Sequence, residues 1–160
     1  MRVSLIGSVL MLCTPIFSVI VVTLLLPLMH WYLLYLPPYQ PVEPGIAWNL
    51  STITLLAIGI GLYFYGSLKH EQQTSTEAEM IFGLGIILAL YGLFTNFLAI
   101  AYQIDAAPRL TPPDMATYNS FIETWLLKGS LWVVTGVALI AQALIKYEIY
   151  RNRAREKSLD

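Results

Sequence analysis

At 160 residues the chain has room for one ordinary domain, but 57% hydrophobic against 12% charged residues is not the make-up of a water-soluble one. Nine Lys and Arg against ten Asp and Glu give a net charge of -1, which leaves no basic field for nucleic acid, and the single cysteine, Cys13, has no partner for an internal disulfide or a CxxC pair. The charges lie in short runs between four apolar blocks, the pattern of an integral membrane protein, because a charge at the bilayer centre is costly.

The first block starts at Val3 and predicts a span over about 4–28. Arg2 alone precedes it and no small-residue cleavage site follows, so it reads as a retained membrane helix and not as a signal peptide. Pro15 predicts a kink and Pro27 an early finish, while Ser4, Ser8, Pro15 and Ser18 share a mildly polar face. Leu36 to Gly45, LPPYQPVEPG, contains four prolines and a glycine and predicts an extended connector. The rings of Trp31, Tyr32, Tyr35, Tyr39 and Trp48 around it mark a membrane–water interface.

A second span is predicted over about 48–68. Its small face is Ser51, Thr54, Ala57 and Gly61, and the Ala57–Gly61 spacing is that of a close helix–helix contact. The polar loop that follows offers two helix starts, Thr74 with Glu77 and Thr76 with Glu79, each a capping box. The third span, about 80–104, is uncharged and carries a narrow seam: Gly85, Ala89, Gly92, Asn96, Ala99 and Gln103 succeed one another at steps of four and three and share one helix face.

A second proline-bearing connector leads to Thr111-Pro112-Pro113-Asp114, which has the form of a helix N-terminus. An interfacial helix therefore either precedes the fourth span, about 121–147, or merges with it. On that span Lys128, Thr135, Ala138 and Gln142 share a face. Arg2, Lys69, Lys146, Arg151, Arg153, Arg155 and Lys157 fall on one side of a four-pass layout and Arg109 on the other, so both termini are expected in the cytoplasm. The predicted fold is an all-α integral membrane four-helix bundle in the cell membrane.

Lys128 is the ionisable residue placed within a span. Its sequence position allows a functional role, snorkelling to the interface or a structural ion pair, and packing of the two seams is expected to bring it towards Gln103 and Asp105 with Asn96 deeper. No catalytic, metal or cofactor residues are expected: His30 and His70 fall on opposite sides, which rules out a haem held by a histidine pair, and no span carries ligands at metal spacing. The expected partners are the lipid bilayer and other membrane subunits or further copies, not nucleic acid. The function this favours is a non-catalytic accessory or assembly subunit of a larger membrane complex. The alternative is a small homo-oligomeric channel or transporter with Asn96, Gln103, Lys128 and Gln142 along its path, and a weaker one is an immunity or regulatory protein acting on another membrane protein.

Overall fold

Each apolar block forms a helix because lipid leaves backbone N–H and C=O groups no partner except one another. The computed structural model describes residues 3–20, 42–69, 75–106 and 112–156, which form α1 (Val3–Ile20), α2 (Val42–Lys69), α3 (Ser75–Ala106) and α4 (Pro112–Glu156). Among the described residues there is no strand. Among the described residues three segments are long and apolar enough to cross a membrane, Trp48–Ser67, Thr76–Ala101 and Asn119–Asn152, so the chain is a helical membrane protein. Residues 21–28, the rest of the expected first span, lie outside the described residues.

One helix end differs from expectation, and two others decide between the stated alternatives. α2 begins at Val42, inside the stretch read as extended connector. Pro44 is tolerated there because the first turn of a helix has no acceptor for its N–H groups anyway. α3 begins at Ser75, where the Thr74–Glu77 box puts it; Thr74 itself lies outside the described residues. α4 runs unbroken from Pro112 to Glu156, so the expected interfacial helix is continuous with the last span.

The buried positions repeat at steps of three and four on every helix: Met11, Thr14 and Ser18 on α1; Asn49, Thr52, Leu56, Gly59, Tyr63 and Gly66 on α2; Ile81, Leu84, Leu88, Gly92, Thr95 and Ala99 on α3; Gly129, Trp132, Gly136, Leu139 and Ala143 on α4. Such a repeat marks the faces along which helices pack on one another. The bundle is two hairpins. α1 packs along α2, and α3 packs more extensively along α4, while contact between the hairpins runs mainly from α2 to α4.

Within each hairpin the contact is backbone on backbone. A Cβ added to Gly85 would meet the Gly136 carbonyl oxygen at 2.7 Å, and one added to Gly92 would come within 2.8 Å of the Val133 nitrogen. Gly7 lies against Gly59 and Tyr63, and Gly66 against Ser4. Gly85 and Gly92, Gly129 and Gly136, and Gly59 and Gly66 are each seven residues apart, so successive contacts fall on one stripe. Around the outside, Leu5, Leu90, Phe97, Val134 and Ile145 among others present large apolar side chains to lipid.

Two expectations need correction. Ala57 and Gly61 were expected at a close contact, but both face outward, and a Cβ on Gly61 would meet nothing within 4 Å. The close contact belongs to Gly59 and Gly66, roughly 160° further round the helix from Gly61 at 100° per residue. On α4 the close contact is made by Gly129 and Gly136, while Ala138 is exposed.

Candidate functional site

The glycine contacts bring the helices near enough for polar side chains to meet across the hairpins, and they do so in two layers. The first lies in the half of the bundle where the chain runs between α1 and α2, here the connector half. Lys128, the charged side chain in the buried core of the described residues, is only 4% exposed. Its Nζ donates to Oδ1 of Asn49 at 2.7 Å and stands 5.4 Å from the centre of the Trp132 ring. Asn49, itself 2% exposed, donates from Nδ2 to the Thr124 hydroxyl at 3.2 Å, and Thr124 donates to the Phe121 carbonyl one turn back. Among the described residues no carboxylate pairs with Lys128.

Trp132 has no exposure and ties three helices together. Its indole Nε1 donates to Thr14 Oγ1 at 2.9 Å, and its ring meets that of Tyr91 in an edge-to-face pair at 70° with centres 4.9 Å apart. The Thr14 contact traces back to one residue. Pro15 has no N–H, so the Met11 carbonyl lacks its helical donor, and the Thr14 hydroxyl supplies one at 2.8 Å while accepting from Trp132. On α3, Thr95 donates to the Tyr91 carbonyl at 2.7 Å, and the Ser18 hydroxyl is hydrogen-bonded to the Tyr91 side chain. All four helices thus contribute to one polar layer.

Beneath it Met11, Leu56 and Leu88 are fully enclosed and form an apolar layer. The second polar layer follows near the half that holds the termini. Tyr63 donates its phenol to Oε1 of Gln142 at 3.0 Å, with Glu77 and Lys146 in electrostatic reach of one another nearby. The Lys128–Asn49 and Tyr63–Gln142 bonds join α2 to α4 in one register: Tyr63 and Gln142 each lie fourteen residues beyond Asn49 and Lys128. At 1.5 Å per residue the two ties are about 21 Å apart along the bundle.

The four polar residues placed on a possible path are not brought together. Lys128 meets Asn49, Gln142 meets Tyr63, and Asn96 donates to the exposed Ser130 hydroxyl at 3.3 Å. Gln103 is exposed near the end of α3. The expected approach of Lys128 to Gln103 does not occur, because Gly92 on Gly129 sets an antiparallel register that puts Lys128 level with the Gly92–Asn96 turn. The side chain of Asp105 lies outside the described residues. Gly85, Ala89 and Gly92 line the α3–α4 contact, where a Cβ on Gly136 would meet Ala89.

Sequence reading missed Asn49, Thr14 and Trp132. The signal for Asn49 was its place in the three-four series with Thr52, Leu56, Gly59 and Tyr63. Among the described residues two enclosed polar atoms have no hydrogen-bond partner: Trp48 Nε1, whose ring packs 4.5 Å from Phe17, and Asn96 Oδ1, which lies against Gly129. A groove of about 210 Å³ lies on the α3–α4 side at the level of the second layer, lined by Ala78, Glu79, Phe82, Ala143, Leu144 and Tyr147.

The chain matches no protein-family model, and no curated protein or solved structure is similar to it. The functional reading therefore rests on the two layers and on what the outer surface offers.

Proposed function

We propose that the chain is a multi-pass protein of the cell membrane, with both termini in the cytoplasm, that serves as a non-catalytic accessory or assembly subunit of a larger membrane complex. The observation that carries this reading is the separate engagement of Lys128, Gln142 and Asn96 by Asn49, Tyr63 and Ser130, each in its own helix–helix bond. A channel or transporter needs such groups along one wet passage; here an apolar layer of Met11, Leu56 and Leu88 separates the Lys128–Asn49 and Tyr63–Gln142 ties. The orientation is supported by the excess of Lys and Arg at the end that holds the termini.

The outer face of α2 supports a role in assembly. Thr54, Ala57 and Gly61 lie along it, and small residues at a lipid-facing position let a second helix approach closely. The test is gentle detergent extraction of the full chain, with identification of the chains that co-purify in fixed ratio, repeated for Gly61→Leu. Stoichiometric membrane partners that the variant loses, with its own fold intact, support the reading. A wild-type chain that purifies alone and conducts ions or solutes in vesicles contradicts it.

A further inference from the structure

We propose that the groove between α3 and α4, in the half of the bundle that holds the termini, seats an aminophospholipid of the phosphatidylethanolamine kind, with an acyl chain in the groove and the primary ammonium on Glu79. Ala78 and Ala143 are buried and form the floor, while Phe82, Leu144 and Tyr147 stand beside them as partly exposed walls. Two small side chains among large ones leave a furrow that the bundle does not fill from within. Its volume of about 210 Å³ exceeds the roughly 150 Å³ of an apolar cavity that accepts benzene, so it has room for a stretch of hydrocarbon chain. It is smaller than the sites that enclose a whole solute, which start at about 300 Å³.

The depth of the groove points to lipid. On α3 no charged residue follows Glu79 until Asp105, and on α4 none separates Lys128 from Lys146. Glu79 and Tyr147, which both line the groove, therefore stand where hydrocarbon gives way to headgroups. Phe82 and Ala143 lie about one turn deeper on their helices. A chain laid from the rim inward thus runs in the direction of the surrounding acyl chains.

The rim selects the headgroup. Apolar contact in the groove cannot, because every lipid around the bundle offers the same hydrocarbon. Glu79 is exposed, and its carboxylate accepts charge-assisted hydrogen bonds from a primary ammonium. The quaternary ammonium of phosphatidylcholine has no N–H to donate, and the carboxylate repels an anionic headgroup. Tyr147 adds a phenol at the same rim, a donor suited to phosphate or ester oxygens. This inference requires only that α3 and α4 span a bilayer and is independent of the accessory-subunit reading.

The test uses the full chain, purified in neutral detergent and titrated with phosphatidylethanolamine, phosphatidylcholine or phosphatidylglycerol of one acyl composition, with bound lipid read by native mass spectrometry. Phosphatidylethanolamine should be retained about fivefold more tightly than phosphatidylcholine. Glu79→Gln should remove that preference, and Glu79→Lys should turn it towards phosphatidylglycerol. Because Glu79 is exposed, both substitutions leave the core packing as it is. Glu123→Gln, an exposed carboxylate towards the opposite end of α4, should leave the preference unchanged, which separates the site from net charge. Glycerophosphoethanolamine, the headgroup without acyl chains, should not be retained. Equal retention of phosphatidylethanolamine and phosphatidylcholine by the wild type, or a preference that survives Glu79→Gln, overturns the proposal. Retention of glycerophosphoethanolamine as tight as that of the lipid also overturns it, because the groove would then contribute nothing.

Discussion

Lys128 and Asn49 meet at 2.7 Å in the connector half of the bundle, both almost fully enclosed, and theirs is one of the bonds that join the two helical hairpins, beside those of Asn49 to Thr124, Trp132 to Thr14 and Tyr63 to Gln142. Lys128 and Asn49 are not equivalent partners. Removing the amide leaves an ammonium with no acceptor among the described residues, whereas removing the lysine leaves only an amide oxygen. Asn49→Leu should therefore destabilise the bundle by about 2–3 kcal/mol and Lys128→Met by less, with the double variant recovering part of the Asn49→Leu loss. Reversible unfolding in mixed micelles measures all three; an Asn49→Leu loss smaller than that of Lys128→Met would remove the bond from its assigned role.

The glycine contacts make a paired prediction. Gly85→Ala puts a methyl 2.7 Å from the Gly136 carbonyl oxygen, and backbone on both sides has no room to shift cheaply. It should cost about 1–3 kcal/mol. Gly61→Ala meets nothing and should be neutral or stabilising by up to about 1 kcal/mol, because alanine is the better helix former. Thermal unfolding of the two variants side by side checks the sign of each.

At the other tie, Tyr63→Phe keeps the ring in the core and removes only the bond to Gln142. The expected loss is about 0.6 kcal/mol, the usual worth of an interhelical bond in a membrane. Tyr63→Ala should cost about 3–5 kcal/mol through the cavity it leaves. Similar losses for the two variants would mean that the phenol, and not the ring, holds α2 to α4.

Thr14 and Pro15 should be coupled. Thr14→Val leaves both the Met11 carbonyl and the Trp132 N–H without their partner, a loss of about 1–3 kcal/mol. In a Pro15→Ala background the restored backbone N–H can serve Met11, so the same substitution should cost less there. Equal losses in both backgrounds, measured by the same unfolding assay, would show that the proline does not create the need for the hydroxyl.

The sequence showed which helices form and two of the four contact faces, that of α1, where Ser4 meets Gly66 and Pro15 and Ser18 are buried, and that of α3. The α3 seam was legible because Gly85, Ala89 and Gly92 interrupt an otherwise bulky helix, so their alignment stands out. The α2 face was not, since Ala57–Gly61 and Gly59–Gly66 are both small pairs and the lipid outside a bundle is as apolar as its interior, which removes the contrast that orients a helix in water. Polarity misdirected the α4 reading: Thr135 and Ala138 were grouped with Lys128, while the backbone contact falls one residue on, at Gly129 and Gly136. Lys128 stood out because it is charged. Its partner did not, because an asparagine near a helix start is as suited to the interface as to the core, and only the α2–α4 register distinguishes them.

The central claim is that the polar residues of the spans are engaged between helices and line no aqueous path. The most direct measurement places single cysteines at Asn96, Gln103, Lys128 and Gln142 in a Cys13→Ala background and exposes each, in sealed membranes, to a membrane-impermeant maleimide from either side. Labelling of Gln103→Cys alone, at the connector end, is the expected result. Labelling of Asn96→Cys, Lys128→Cys and Gln142→Cys as well would mean that water reaches all four, and would contradict it.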